Sequence, residues 1–364
     1  MDLGKSLEAA ARGFRPLVVP SYRRAFKAMT ARGLTQHRPG ERIVCCDFTD
    51  PRIDSVGGRY YYSLVRDLID TGYFPVFTPH RATLSTFGTS RMKSLLLAER
   101  LGSVATIDAL RQPYFLITDR EVSKPDLAER VVTVSYEKRL CRSADEIAFP
   151  LFVHPQLEGL PFHYRVESPR SARLFFGGNT EEGKYDKSVI RDEYQMLTRR
   201  EMLAVAAEAA PAFQPADATS WLASDDWNPY VLCETQSCKI PRDRWLDALG
   251  KADFFLACPG VGMPLCHNLI EAMAAGAVPV LQYASYLPHP LTDRVNCMAF
   301  HTAASLRDTL DEILNLPPAH ILELRANVRQ YYQDILSPGR FSDRLFTGSP
   351  QKTLLLNAYR VPRR

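Results

Sequence analysis

The polar and apolar positions of this chain switch period repeatedly. Short runs that are apolar on both faces alternate with longer stretches in which apolar residues recur every three or four positions. In the first half "RIVCCDF" (42–48), "YFPVFTP" (73–79), "PYFLITD" (113–119) and "RVVTVSY" (130–136) read as strands. "GRYYYSLVRDLIDTG" (58–72) and "RMKSLLLAERLG" (91–102) read as the helices between them. Strands separated by helices imply right-handed βαβ units and a parallel sheet. "IAFPLFVHPQLEGLPFHY" (147–164) is broken by prolines and suits a crossing between domains.

The pattern then restarts. "ARLFFGGN" (172–179) predicts a strand ending in glycines, followed by a periodic helix over 193–210. The strand "PYVLCE" (229–234), a helix over 242–252, the strand "DFFLACPG" and the strand "AVPVLQY" complete the second half. A last helical pattern, "ILELRANVRQYYQDIL", covers 321–336. The fold class expected is therefore α/β, with two Rossmann-like domains facing across a cleft. The division expected is 1–160, 161–320, and a 321–364 helix and tail that pack back towards the first domain. In such sheets ligands bind at the carboxyl ends of the strands.

Length supports two domains: 364 residues exceed one ordinary core. A formal charge of +4 with scattered Lys and Arg argues against a dedicated nucleic-acid protein. The eight cysteines are irregularly spaced without a CxxC pair, and several sit in apolar runs, which reads as buried thiols. No signal-like or membrane-spanning apolar stretch is seen, so a cytoplasmic protein is expected. Its basic, aromatic "YRRAFKAM" and "YRVPRR" permit peripheral contact with an anionic membrane face.

Candidate chemistry gathers in "CPGVGMPLCHNLIEAMAAGAVPVLQY" (258–283). A helix starting near Pro264 puts Pro264, His267, Asn268 and Glu271 on one face, beside an apolar stripe of Leu265, Leu269, Ala272 and Met273. Gly276 suits the C-terminal cap. Gly260 and Gly262 open the preceding loop, where free N–H groups and the helix dipole favour an anion. A diphosphate at that turn and a ribose at Glu271 is the economical reading. If Glu271 faces a cleft, its removal should cost little folding stability.

"RLFFGGN…IRDEY" followed by "WLDALGKADFFLACPGVG…LIEAMAAGAVPVL" resembles the exostosin-like glycosyltransferases, and its closing part the wider two-domain (GT-B) glycosyltransferases. The match covers roughly 170–290, the donor half. The resemblance implies a nucleotide-sugar donor, foremost a UDP-sugar, and a glycan or lipid-linked acceptor in polysaccharide or glycoconjugate synthesis. It assigns Glu271 to the ribose and the Gly260–Gly262 turn to the donor phosphates. Gly177, Gly178 and Asn179 fall at the end of the first strand of the donor half. Arg191 matches the Ile-Arg position and is implied as diphosphate counter-ion, with Lys184 as a phosphate-binding or simply exposed lysine. Met263 stands where many retaining relatives carry the first Glu of Glu-x7-Glu, which leaves the anomeric outcome open.

A nucleoside diphosphate leaving group needs its charge stabilised, which Arg, Lys and a helix N-terminus supply without a metal. No Asp-x-Asp is found at a strand end, so a metal-independent reaction with no cofactor is expected. "DFTDPRIDSVGGRYYY" (47–62) is an incomplete phosphate loop facing the acceptor side. Asp50, Asp54, Asp119 and Glu137 are candidates for the acceptor base, ahead of His80. A sugar-nucleotide epimerase of the same fold and a non-catalytic glycan-binding protein are the competing readings.

Overall fold

The computed structural model describes residues 17–31, 40–98, 103–157, 167, 169–185 and 188–357. The chain divides into two compact units, one comprising Met1–Phe149 with Pro338–Ala358 and the other centred on Pro150–Ser337. Each unit has its own parallel sheet, as the restart of the βα pattern implies.

The first sheet holds β1 (Arg42–Asp47), β2 (Tyr73–Phe77), β3 (Ser103–Val104), β4 (Tyr114–Thr118), β5 (Ala128–Lys138), β6 (Glu146–Ala148) and β12 (Gln351–Asn357), in the order β3-β2-β1-β4-β5-β12-β6. Five of the six β1 residues and all of β2 are buried, the run expected of parallel strands covered on both faces. β12 enters the sheet between β5 and β6 and pairs with both. Reading outward from β1, the connections run to β2 and β3 on one side and to β4 and β5 on the other, so the order reverses between β1 and β4.

The helix Ser55–Asp70 starts earlier than its apolar period suggests. Gly57 and Gly58 take positive φ in its first turn, and a Cβ on Gly58 would lie 2.2 Å from Ser90 Oγ. Only glycine fits there. The helix expected over 91–102 is a short 3-10 stretch, Lys93–Ala98, preceded by a turn at Arg91 and Met92, and 99–102 fall outside the described residues. Lys93 accounts for the difference. It is fully buried, donating to Thr83 O (2.5 Å) and Thr86 Oγ1 (2.8 Å), and it sits 2.9 Å from Asp54 Oδ1 as a charge pair. Its ammonium also lies 3.9 Å from the Tyr61 ring centre. Burial pushes its pKa down, opposed by Asp54.

The second sheet holds β7 (Ala172–Gly178), β8 (Asn228–Glu234), β9 (Ala252–Leu256), β10 (Val278–Leu281) and β11 (Met298–Ala299), ordered β11-β10-β9-β7-β8. Its reversal lies between β7 and β9. The single helix expected over 193–210 is two, Ser188–Tyr194 and Arg199–Ala209. Gln195 adopts φ 55°, and Thr198 with Glu201 forms a capping box that starts the second helix. The helix expected over 242–252 is shorter, Trp245–Gly250, because Ala252 already opens β9. At the other end of the chain, the pattern read as a helix from 321 begins at Pro318 and stays in the second unit to Ser337, whereas Pro338–Ala358 belongs to the first. The first unit closes at Phe149, ahead of the 160/161 division expected, and the second takes up the proline-broken segment.

All eight cysteines are free thiols. Among the described residues no helix is long and apolar enough to cross a membrane. The basic "YRVPRR" tail lies outside the described residues.

Candidate active site

The site of the second unit is built at the ends of β7 and β8 and at the start of the helix His267–Ala274. That helix begins three residues after Pro264. His267, Asn268 and Glu271 still share a face, while Leu269, Ala272 and Met273 are buried beneath them. It ends in a Schellman turn: Gly276 N–H donates to Met273 O (3.0 Å), Ala277 N–H donates to Ala272 O (2.9 Å), and Gly276 takes φ 69°. Its N-cap is Cys266, whose side chain caps no N–H, so the first turn carries its positive end uncapped.

A pocket of about 360 Å³ opens here, within the range of small-ligand sites. Gly178 and Asn179 line it from the end of β7, Thr235 from beyond β8, and His267, Asn268 and Glu271 from the helix. It therefore sits at the reversal point of the sheet, where open α/β sheets take ligands.

Glu271 is 1% exposed. Its Oε2 accepts the indole N–H of Trp245 at 2.6 Å and its Oε1 accepts the backbone N–H of His154 at 3.1 Å. The helix face thus meets the pocket through a carboxylate that also ties Trp245 and the 154–157 segment to it. The expectation that Glu271 could be removed at little cost to folding fails on this burial. Asn268 Nδ2 donates to Gly177 O at 3.3 Å, and the rings of His154 and His267 lie 5.2 Å apart.

Other residues named from sequence are distributed unevenly. A Cβ on Gly177 would lie 2.7 Å from both Phe175 and Trp245, so this glycine serves close packing beside the pocket. Asn179 Oδ1 accepts from Glu181 N (2.7 Å) and Gln236 Nε2 (2.8 Å). Gly260 and Gly262 form the preceding turn but are not among the lining residues; Gly262 is exposed. Lys184 is exposed and 3.5 Å from Glu181. Arg191 is exposed, paired with Glu201 at 2.7 Å, and also absent from the lining.

Sequence reasoning missed Arg199. It is 4% exposed and lines the pocket. Nη1 donates to Asn179 O (2.6 Å), Nη2 donates to Pro259 O (3.1 Å), and the guanidinium lies 3.9 Å from the Tyr185 ring centre. Trp245, His154 and Arg242 were missed as well. The only signal in the sequence is that Arg199 follows Thr198 at a helix start, where a cation is out of place against the helix dipole.

The four acceptor-side carboxylates lie in the first unit, and each is engaged. Asp119 follows β4 at the reversal point. It accepts from Thr49 N (2.8 Å), Thr49 Oγ1 (3.0 Å), Asp50 N (2.8 Å) and Tyr136 OH (3.0 Å). It thereby holds the 49–50 loop in place. Asp50 caps the Pro51–Asp54 turn and pairs with Arg52 at 2.6 Å. Asp54 pairs with Lys93, and Glu137 pairs with Arg139 at 2.6 Å on the surface. His80, close to this group, is held below the ordinary histidine range by burial, with Asp119 and Asp47 opposing. Among the described residues no group of three His, Cys, Asp or Glu side chains is arranged to hold a metal ion.

No protein-family model and no curated protein matches the sequence. Solved structures give loose likenesses. One is S. aureus TarM, crystallised with fondaparinux, alpha-GlcNAc-glycerol and UDP: TM-score 0.34, 11% identity, 76% of this chain over 51% of that one. This chain therefore spans about half of TarM's length. Another is the Thermobaculum terrenum O-GlcNAc transferase, with TM-score 0.43, 13% identity, and coverage of 89% and 70%. A third is AviGT4, a glycosyltransferase of avilamycin A biosynthesis, with TM-score 0.38, 13% identity, and coverage of 84% and 95%. Likeness at this level is too loose to assign a function, which has to come from the pocket and the chain's own residues.

Proposed function

We propose that the protein is a glycosyltransferase of the exostosin-like kind, moving a sugar from a nucleotide-sugar donor, foremost a UDP-sugar, to a glycan or lipid-linked acceptor. The observation that carries this reading is the pocket at the reversal point of the second sheet. It combines a buried carboxylate, an uncapped helix start and an aromatic wall in a volume suited to a nucleotide. In this reading the Glu271 carboxylate, on the pocket wall, accepts from the ribose hydroxyls. Asn268 fixes the β7 turn through Gly177 O. His267 lies at the positive end of the helix, where phosphate charge is favoured. Leaving-group charge is met by these fixed groups, so donor binding needs no divalent ion.

The test is a thermal-shift and calorimetric screen of the full chain against UDP-, GDP- and CMP-sugars in the presence and absence of EDTA. A UDP-sugar should raise the melting temperature equally in both. A strict need for Mn²⁺ or Mg²⁺, or no response to any nucleotide sugar, overturns the reading. Nucleotide release from a labelled donor with and without acceptor then separates transfer from epimerisation and from binding alone.

A further inference from the structure

A pair of thiols stands beside the pocket rim. Cys233 lies in the last turn of chain of β8, and Cys238 stands at the end of the turn that follows that strand. Their sulfurs are 3.6 Å apart, the Cys238 S–H donating to Cys233 Sγ, and both residues are buried, at 1% and 3% exposure. A disulfide needs about 2.0 Å, so the two must approach by roughly 1.6 Å, a distance that side-chain rotation can supply. Cys45 and Cys46, by contrast, are neighbours in β1 and point to opposite faces of their sheet. The turn between Cys233 and Cys238 reaches the pocket. Thr235 lines it and donates its N–H to Gly178 O at 2.9 Å. Glu234 Oε1 accepts from Thr180 Oγ1 at 2.7 Å, and Gln236 Nε2 donates to Asn179 Oδ1 at 2.8 Å. Two backbone bonds close the turn, from Ser237 N (3.1 Å) and Cys238 N (2.7 Å) to Glu234 O. Ser237 and Lys239, on either side of Cys238, are exposed, so opening this single turn brings the Cys238 sulfur to solvent.

We propose that Cys233 and Cys238 are a reversible dithiol–disulfide site, oxidised by exchange with a small-molecule disulfide, that latches the turn carrying Thr235. The exchange balances in two steps. The Cys238 thiol gives up its proton, and its thiolate attacks one sulfur of the small disulfide, forming a mixed disulfide and releasing one small thiolate. The Cys233 thiol then gives up its proton, its thiolate attacks the Cys238 sulfur, and the second small thiolate leaves. The two released thiolates take up the two protons, so the protein pair is oxidised by two electrons and the small disulfide is reduced to two thiols. Burial, and then the neighbouring Cys238, pushes the Cys233 thiol up, so exchange starts on the turn and reaches β8 second. The new bond closes a loop of about six residues and removes the open forms of the turn. This site is independent of which ligand the pocket takes, and so of the nucleotide-sugar reading.

The experiment incubates the folded full chain with oxidised glutathione at about pH 8, where thiolate is available. An acid quench, denaturation in an alkylating agent and mass mapping follow. The segment 201–239, between Arg200 and Lys239, holds both cysteines and no others, so cleavage after basic residues isolates the pair. In the wild type that peptide should take up no alkyl label, lack two hydrogens, and regain both labels after treatment with dithiothreitol. In C233S, Cys238 should keep a glutathione adduct that the wild type does not accumulate, because the second thiol is missing. In C238S, Cys233 should stay a free thiol. Hydrogen exchange at the amides of 235–238 should slow by about tenfold or more in the oxidised wild type. Melting curves identify a variant that fails to fold, and the wild type then decides alone. Two alkylated thiols in the folded wild type after equilibration with excess oxidised glutathione overturn the proposal. So does a disulfide that appears only in denaturant, or an adduct on Cys233 in C238S with none on Cys238 in C233S. An oxidised turn that exchanges as fast as the reduced one refutes the latch.

Discussion

Replacing Glu271 with alanine separates its structural and ligand roles. The carboxylate is 1% exposed and accepts from Trp245 Nε1 at 2.6 Å and His154 N at 3.1 Å. Removing it leaves two donors without these acceptors, each at about 1–3 kcal/mol, or about 2–6 kcal/mol together. Domains of this size lose about 2–4 °C in melting temperature per kcal/mol, so the unfolding of Glu271→Ala should fall by roughly 4–24 °C. Glu271→Gln keeps one acceptor oxygen and should fall between the two. If the same carboxylate also holds the ribose, the folded fraction should lose about 1.5–3 kcal/mol of UDP affinity, or about 10- to 150-fold. The assay is thermal unfolding of each variant, followed by UDP calorimetry at a temperature where all are folded. A melting temperature within a degree of wild type refutes the hydrogen-bond reasoning. A large drop with UDP affinity intact makes Glu271 a structural tie only.

Other outcomes follow from the same geometry. Lys93→Ala should cost about 3–5 kcal/mol in denaturant unfolding, because it leaves Asp54 buried and unpaired, while Lys93→Met combined with Asp54→Leu should recover most of that. Thr198→Ala should remove the capping box and cost about 0.5–2 kcal/mol, read in the same unfolding curves. Glu146 is held down to about 2, first by its hydrogen bonds from Arg139, against an ordinary value near 4.5. Its folded-state pKa is below its unfolded one, so its contribution is complete above about pH 4.5 and lost as pH falls towards 2. Glu146→Gln should therefore lower stability at neutral pH and flatten the acid limb in that window; an unchanged acid profile contradicts the pairing.

The second sheet was legible because each of its main strands is a continuous apolar run bounded by Gly, Pro or a charged turn, and β7, β8, β9 and β10 fall where those runs lie. The helix carrying His267, Asn268 and Glu271 was legible for the same reason, with Gly276 marking its end. Periodicity could not show the break at Gln195, since the apolar spacing continues across it; the capping residues Thr198 and Glu201 were the available sign. Arg199 could not be seen as buried, because its burial depends on carbonyls 20 and 60 residues away in sequence. The pairing of Lys93 with Asp54 was equally hidden, since a lysine inside "RMKSLLL" looks like the solvated side of a helix. β12 was missed for a different reason. Only three of its seven residues are apolar, and the strands they complete lie more than 200 positions upstream.

That strand has a consequence for how the molecule is made. The second unit is built essentially from one uninterrupted stretch and can finish as soon as it leaves the ribosome. The first unit cannot, because an interior strand of its sheet is synthesised only after the whole of the second unit. Until β12 arrives, the β5 edge with buried Val131, Val132 and Val134 stands open to pairing with another chain. A chain cut after Ser337 would keep that open edge permanently, so the first unit should aggregate when expressed without β12, whereas Pro150–Ser337 should be the half that tolerates isolation.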